Sequence, residues 1–370
     1  MTGAGEKLRV FFIMKIMTKL GIIFLCFSLL LLTACGAQAE PTGPKSGEAL
    51  RTVTDASGRQ VELPEEVASV VCVGVGALRY TTYLQAQDLV VGVEQGEQTA
   101  TLAKPFSYFN RERFTALPVT GDNGTTYDED ILRLSPDVIV AYLDTDTADS
   151  LQSRTGIPVV TIPLNEGMFD EAALTTLSLL GEVYHREDRA KELTDYLLAA
   201  QADLDSRTRD VPEAEKPTVY VAGVSYKGAH GFEGTEAGYP PLAAIHARNL
   251  ADQAGQSGPF NMDTEQVLQW DPDVIFLDWN GMALVQENYA VNPDFYTSLS
   301  AVENGRLYAQ ISFRSSATNA ELALADAYYA GTVLYPEQFA DIDPAEKFNE
   351  IFQVMLGVED AYSQYAAQGY

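Results

Sequence analysis

The stretch Glu129-Asp-Ile-Leu-Arg-Leu-Ser-Pro-Asp-Val-Ile-Val-Ala141 decides the fold, because it returns as Glu265-Gln-Val-Leu-Gln-Trp-Asp-Pro-Asp-Val-Ile-Phe-Leu277. Each copy runs acid, amphipathic helical turn, Pro-Asp, apolar strand. The acid lies seven residues before the proline in both, and the copies are 136 residues apart. That period is too long for a solenoid and suits two similar lobes.

Outward from the first copy, Val67–Val75 reads as a buried strand, followed by a Gly74-Val-Gly76 loop and a helix reaching Leu84. Residues 51–63 alternate around an Asp-x-x-Gly turn and predict a β-hairpin. The polar, aromatic segment from Glu94 to Asp130 separates this part from the repeat. A short helix is expected at Asp170–Leu180 and a long one at Glu187–Thr208. In the long helix, Ala190, Leu193, Leu197, Ala200 and Leu204 recur at steps of three and four, one buried face. Twenty-two residues span roughly 33 Å at 1.5 Å each. A second lobe opens with the strand Thr218–Gly223, a glycine-rich loop Ser225–Pro241 and the second copy; helices at Ala320–Leu334 and Pro344–Leu356 close the chain. The expected fold class is α/β: two Rossmann-like parallel-sheet lobes joined by one long α-helix. The boundaries are 1–34 signal peptide, 35–50 flexible tether, 51–186 first lobe, 187–210 connecting helix and 211–370 second lobe.

The N-terminal segment is an export signal by its pattern. Lys15 and Lys19 precede an apolar run from Leu20 to Leu32, too short for an ordinary transmembrane helix. It ends Leu32-Thr-Ala-Cys35, which resembles a bacterial lipobox and implies a lipid on Cys35, with Met14 or Met17 as alternative starts. Residues 36–50 have no apolar period and read as a tether. Cys26 leaves with the signal, so Cys72 is alone in the body, and its Val-Val-Cys-Val setting predicts a small buried hydrophobe.

Residues 1–34 hold four of the chain's 24 basic and one of its 52 acidic side chains, leaving 20 against 51, a formal charge of −31. Such a balance argues against nucleic acid as a partner.

With these marks in place, the chain resembles the substrate-binding lipoproteins of ABC importers for iron complexes and cobalamin. The resemblance rests on the lipobox, the strand–loop–helix at 70–84, both Glu-x-[Ile/Val]-x-x-x-x-Pro-Asp copies, the 187–208 helix and the loop from Ser225 to Pro241. It implies no catalysis and no cofactor. It implies a monomer on the extracytoplasmic face of a membrane, held there by Cys35 and working with an ABC permease dimer and its ATPase. The ligand implied is an iron chelate (siderophore, haem or similar), with a corrinoid as the alternative; an enzyme with a non-standard site is the alternative of another class. In this family an acid on each lobe docks on the permease, and the matching positions are Glu129 and Glu265. The stiff connecting helix implies a rocking of a few degrees on closure, not a wide hinge.

Ligand contacts are expected on the loops at the carboxyl ends of the strands. Arg79 and Tyr80 follow the Gly74 loop, where a guanidinium and helix N–H groups suit a carboxylate or phosphate; a structural salt bridge for Arg79 is the competing reading. Tyr226, Lys227, His230 and Phe232 occupy the glycine-rich loop, and Tyr108, Tyr127, Trp279 and Phe313 are aromatic candidates. Relatives carry aromatics before Thr-Asn where this chain reads Ser312-Phe-Arg-Ser-Ser-Ala-Thr-Asn319, so the loss of those aromatics and the gain of Arg314 point to a more anionic or differently shaped chelate. Three histidines in the whole chain make a bare-metal site improbable. No Gly-x-Ser-x-Gly, Walker loop or His-Glu-x-x-His occurs.

Overall fold

A computed structural model describes residues 49–369; the signal segment, Cys35 and nearly all of the tether lie outside them. The chain starts with the hairpin β1 (Leu50–Thr54) and β2 (Gln60–Pro64). The Asp55 carboxylate closes its turn by accepting from the N–H groups of Ser57 (3.0 Å) and Arg59 (2.9 Å).

The first lobe holds six strands, β3 (Val70–Val73), β4 (Val90–Glu94), β5 (Val119–Asp122), β6 (Thr125–Thr126), β7 (Val138–Ala141) and β8 (Val159–Thr161), in the order β6-β5-β4-β3-β7-β8. All neighbours are parallel except β5 and β6. The second lobe pairs β10 (Gly234–Ala237) with β12 (Gly258–Asn261) antiparallel. Its main sheet is parallel, β11 (Arg248–Asn249), β9 (Thr218–Ala222), β13 (Val274–Asp278) and β14 (Leu307–Gln310), in that order. Every residue of β3, β7 and β13 is buried, as helices on both faces of a parallel sheet require.

The doubled stretch is one structural device used twice. Helices Asp128–Leu134 and Thr264–Trp270 each stop at a residue in the left-handed region, Ser135 (φ 46°) and Asp271 (φ 43°). The following Pro-Asp then ties down the entry of the neighbouring strand. Asp137 Oδ2 accepts from the N–H of Ala68 (2.8 Å) and from the N–H and hydroxyl of Ser69 (2.9 and 3.0 Å). Asp273 Oδ2 accepts from the N–H and hydroxyl of Thr218, both at 2.8 Å.

The connecting helix runs Glu187–Thr208 and buries the five residues its period singles out. Near its start, Arg189 Nε donates to the Tyr83 carbonyl of the first lobe (3.1 Å). Near its end, Arg207 pairs with Asp341 (2.6 Å) and His246 Nε2 lies 2.9 Å from Asp205. One continuous apolar core follows this spine from Val70 and Leu180 to Val221 and Phe276.

Three observations go beyond the sequence reading. The helix expected at Asp170–Leu180 is Glu171–Tyr184, because Val183 and Tyr184 still have core to bury before His185 turns left-handed. Cys72 is buried 3.4 Å from Thr81 Oγ1, and burial pushes its thiol up to about 12. Finally, the last helices leave the second lobe: Phe352 meets Phe109 at 6.0 Å and Tyr365 donates to the Leu102 carbonyl at 2.8 Å. Their aromatic face covers the first lobe, so the chain crosses between the lobes a second time.

Candidate functional site

Loops after β3, β7 and β8 stand at the carboxyl edge of the first sheet, and those after β9, β13 and β14 at the carboxyl edge of the second. The two edges meet. Arg79, on helix Ala77–Tyr83 after β3, donates from Nε to Asn319 Oδ1 (3.1 Å) and from Nη2 to the carbonyls of Ser315 (2.9 Å) and Ser316. The loop after β8 contributes the Glu166 carbonyl, which accepts from Thr318 Oγ1 (2.6 Å) and Arg314 Nη1 (3.4 Å). Asn319 Nδ2 reaches the carbonyls of Ala103 (3.2 Å), Phe313 (2.9 Å) and Ser315 (3.2 Å). Tyr83 donates to Glu321 Oε2, and burial raises the Glu321 carboxyl. The second-lobe segment 314–321 is thus laced to the first lobe, with Ser316 (φ 54°) and Ala317 (φ 65°) in a conformation non-glycine residues rarely hold.

Arg79 is 1% exposed, lies over the Phe106 ring at 5.0 Å, and keeps one buried N–H group, Nη1, without a hydrogen-bond partner. Its place is therefore neither a free surface charge nor a direct salt bridge.

The other expected contacts divide. Tyr80 is buried, accepts from Asn165 Nδ2 and meets Tyr83 edge-on at 5.4 Å; burial raises its phenol. Tyr108 is half-buried under Arg111 (4.7 Å), its hydroxyl 3.4 Å from Gln364 Oε1. Tyr127 stands exposed just before helix Asp128–Leu134. Tyr226 and His230 stack at 4.1 Å, His230 Nε2 lying 2.9 Å from the Tyr226 carbonyl and Tyr226 donating to Asn261 Oδ1 at 3.2 Å. Lys227 is exposed between them at φ 50°. Trp279 is half-buried against the second-lobe core. Two candidates belong to packing instead: Phe232 lies 2% exposed among Tyr220, Phe295 and Tyr296, and Phe313 lies 1% exposed against Tyr239.

Arg314 does not stand as an open charge. Its guanidinium forks onto Glu236, Nε to Oε2 at 3.1 Å and Nη2 to Oε1, while its plane covers Phe313 at 5.0 Å. Burial raises the Glu236 carboxyl and Arg314 opposes that shift. Arg314 braces the seam. Sequence reasoning missed this partner because it lies 78 positions away. It also missed Asn319 and Glu321, whose first-lobe partners Arg79 and Tyr83 lie 240 and 238 positions away. Among the described residues, no three His, Cys, Asp or Glu side chains form a group that could hold a metal ion.

Away from the seam, Glu129 and Glu265 hold equivalent exposed positions in the first turns of their helices. Asp128 pairs with Arg154 and Asp130 with Arg133, whereas the Glu129 carboxylate pairs with neither. No described helix is long and apolar enough to cross a membrane.

Known proteins repeat this architecture. The molybdate-binding protein MolA of Haemophilus influenzae is 24% identical over 82% of this chain and 90% of its own length. The structure of MolA bound to molybdate superposes with a TM-score of 0.62 at 22% identity, covering 84% of this chain and 98% of that one. A periplasmic solute binding protein from Veillonella parvula gives a TM-score of 0.70 at 18% identity, over 86% and 96% of the two chains. An ABC transporter solute binding protein from Sulfurospirillum deleyianum gives 0.61 at 21%, over 84% and 96%. The periplasmic binding protein family model itself matches residues 80–310. Two carboxyl-edge loop sets meeting across a seam, on a frame shared with these solute binding proteins and matched by the family model over residues 80–310, place this chain in the periplasmic binding protein family.

Proposed function

We propose that this receptor captures a negatively charged metal species, one that arrives with its own oxygen ligands, and hands it to an ABC permease. The observation that carries the reading is Arg79 Nη1, a buried guanidinium N–H with no partner at the meeting of the lobes. A buried cationic donor left unsatisfied is costly, and an anionic oxygen is the group that satisfies it best. An iron chelate (siderophore, haem or similar) and a compact oxyanion such as the molybdate of MolA share that chemistry. The laced seam favours the compact ligand, since a bulky chelate must part Thr318 from Glu166 and Arg79 from Ser316. The half-buried ring pair Tyr226–His230, on the loop after β9, favours the chelate, because flat aromatic faces suit an organic ligand.

Calorimetric titration of the purified protein with sodium molybdate, a ferric hydroxamate, haemin and cobalamin separates these. One anionic species should bind stoichiometrically, and Arg79→Lys, which cannot reproduce the planar fork, should weaken it at least tenfold. Binding of cobalamin alone would sink the anionic reading. A lipid on Cys35 would hold the receptor to the membrane. Glu129 and Glu265 would each enter an arginine pocket of the permease, since one unpaired carboxylate per lobe suits a two-fold partner. The double change of both glutamates to Ala should leave ligand affinity intact while abolishing stimulation of the transporter's ATPase.

A further inference from the structure

Sheet order locates a cleft residue that no motif announces. In the first lobe β7 lies between β3 and β8. The loop after β3 leads to Arg79, which bonds Ser315, Ser316 and Asn319, and the loop after β8 carries Glu166, which accepts from Thr318. Both flanking loops therefore touch the second lobe. The loop between them, after β7, must face the same cleft. Its first residue is Tyr142.

Tyr142 is 37% exposed, unusual for a large ring at the end of a fully buried strand. Its backbone is held: its N–H donates to the Val73 carbonyl at 3.0 Å, and its own carbonyl would lie 3.1 Å from any Cβ placed on Gly74. Leu164, 36% exposed, follows the adjacent strand β8. A fixed backbone with an exposed ring is the arrangement of a contact surface, since a preorganised ring loses little entropy on binding.

We propose that Tyr142 is a ligand-contacting residue of the first lobe, offering its ring face to the body of the bound metal species and its O–H to one of that species' oxygens. The proposal rests on the reading of the solute as an anionic metal species. It assigns the first lobe a contact on the central loop of its carboxyl edge, the place Trp279 and Asn280 occupy in the second lobe.

The test titrates the wild type, Tyr142→Ala and Tyr142→Phe with sodium molybdate, a ferric hydroxamate and haemin, and follows nitration of Tyr142 by tetranitromethane with and without each probe. Expected are a tenfold or greater loss of affinity in Tyr142→Ala at unchanged Tm, a loss of a few fold in Tyr142→Phe, and protection of Tyr142 from nitration by the probe that binds. Affinities within twofold of wild type in both variants would overturn the contact and leave the receptor reading standing. So would weakened binding without protection from nitration, or with a Tm several degrees lower. Failure of the wild type to bind any of the three would overturn the metal-species reading and this contact with it.

Discussion

The two lobes use one frame and diverge at one position. Asp137 and Asp273 tie the strand entries, Ser135 and Asp271 end the helices in the same left-handed turn, and Gly74 and Gly223 leave the first strand of each lobe at φ 73° and 79°. A Cβ on either glycine would meet the carbonyl of the residue that follows the doubled stretch, Tyr142 or Asp278, at 3.1 Å. At that matched place the first lobe exposes a phenol, while the second buries a carboxylate. The lesson is that the repeat specifies where the loops go, and the residue just past it specifies what each loop does.

The largest effect expected from breaking the frame is at its strand ties. Asp137 is half-buried and accepts three hydrogen bonds, whereas Asp273 is exposed and accepts two. Asp137→Ala should cost about 2–4 kcal/mol in urea unfolding and Asp273→Ala about 1–2, since hydrogen bonds to a charged group are the stronger class and exposure discounts them. Equal losses would show that the lobes are tied alike.

A smaller pair of effects lies at the glycines. Gly223 is hemmed by backbone, with Asp278 O at 3.1 Å and Gly281 Cα at 3.3 Å from an added Cβ; beyond Tyr142 O, Gly74 next meets the Tyr142 Cβ at 3.6 Å. Gly223→Ala should therefore cost about 2 kcal/mol and Gly74→Ala about 1, the left-handed strain being common to both. Tm measured on both variants checks the order, which reverses if the first lobe is the tighter one.

How much of this was legible follows from what periodicity encodes. The steps Ala190, Leu193, Leu197, Ala200 and Leu204 announced the connecting helix to the residue, and the doubled stretch announced two lobes, because both are local patterns. The seam was not legible. Arg79 finds Asn319 240 positions away and Arg314 finds Glu236 78 positions away, and no spacing records such a meeting. Aromatic type alone also failed to separate cleft from core: Phe313 and Phe232 are buried, while Tyr142 stands open. Hydrophobic character predicts burial for all three, and only sheet order distinguishes them.

The smallest effect concerns the buried counterpart of Tyr142. Asp278 accepts from Ser312 Oγ and from the Asn280 N–H (3.0 Å), and burial pushes its carboxyl up from 3.8 to about 6. Glu236 adds to that rise, while Ser312, Asn280 and Arg314 oppose it. Between the unfolded and folded values the native state binds the extra proton, so this group's contribution to stability falls as pH rises from 4 to 6 and stays lost above. Asp278→Asn keeps an oxygen to accept both bonds and removes the buried charge. It should raise stability at pH 7.5 by about 1 kcal/mol, and the gain should shrink toward zero by pH 5. A gain that stays constant from pH 5 to 7.5 would mean that the carboxylate is not what the second lobe hides. The two lobes would then differ at this position in shape alone, not in charge.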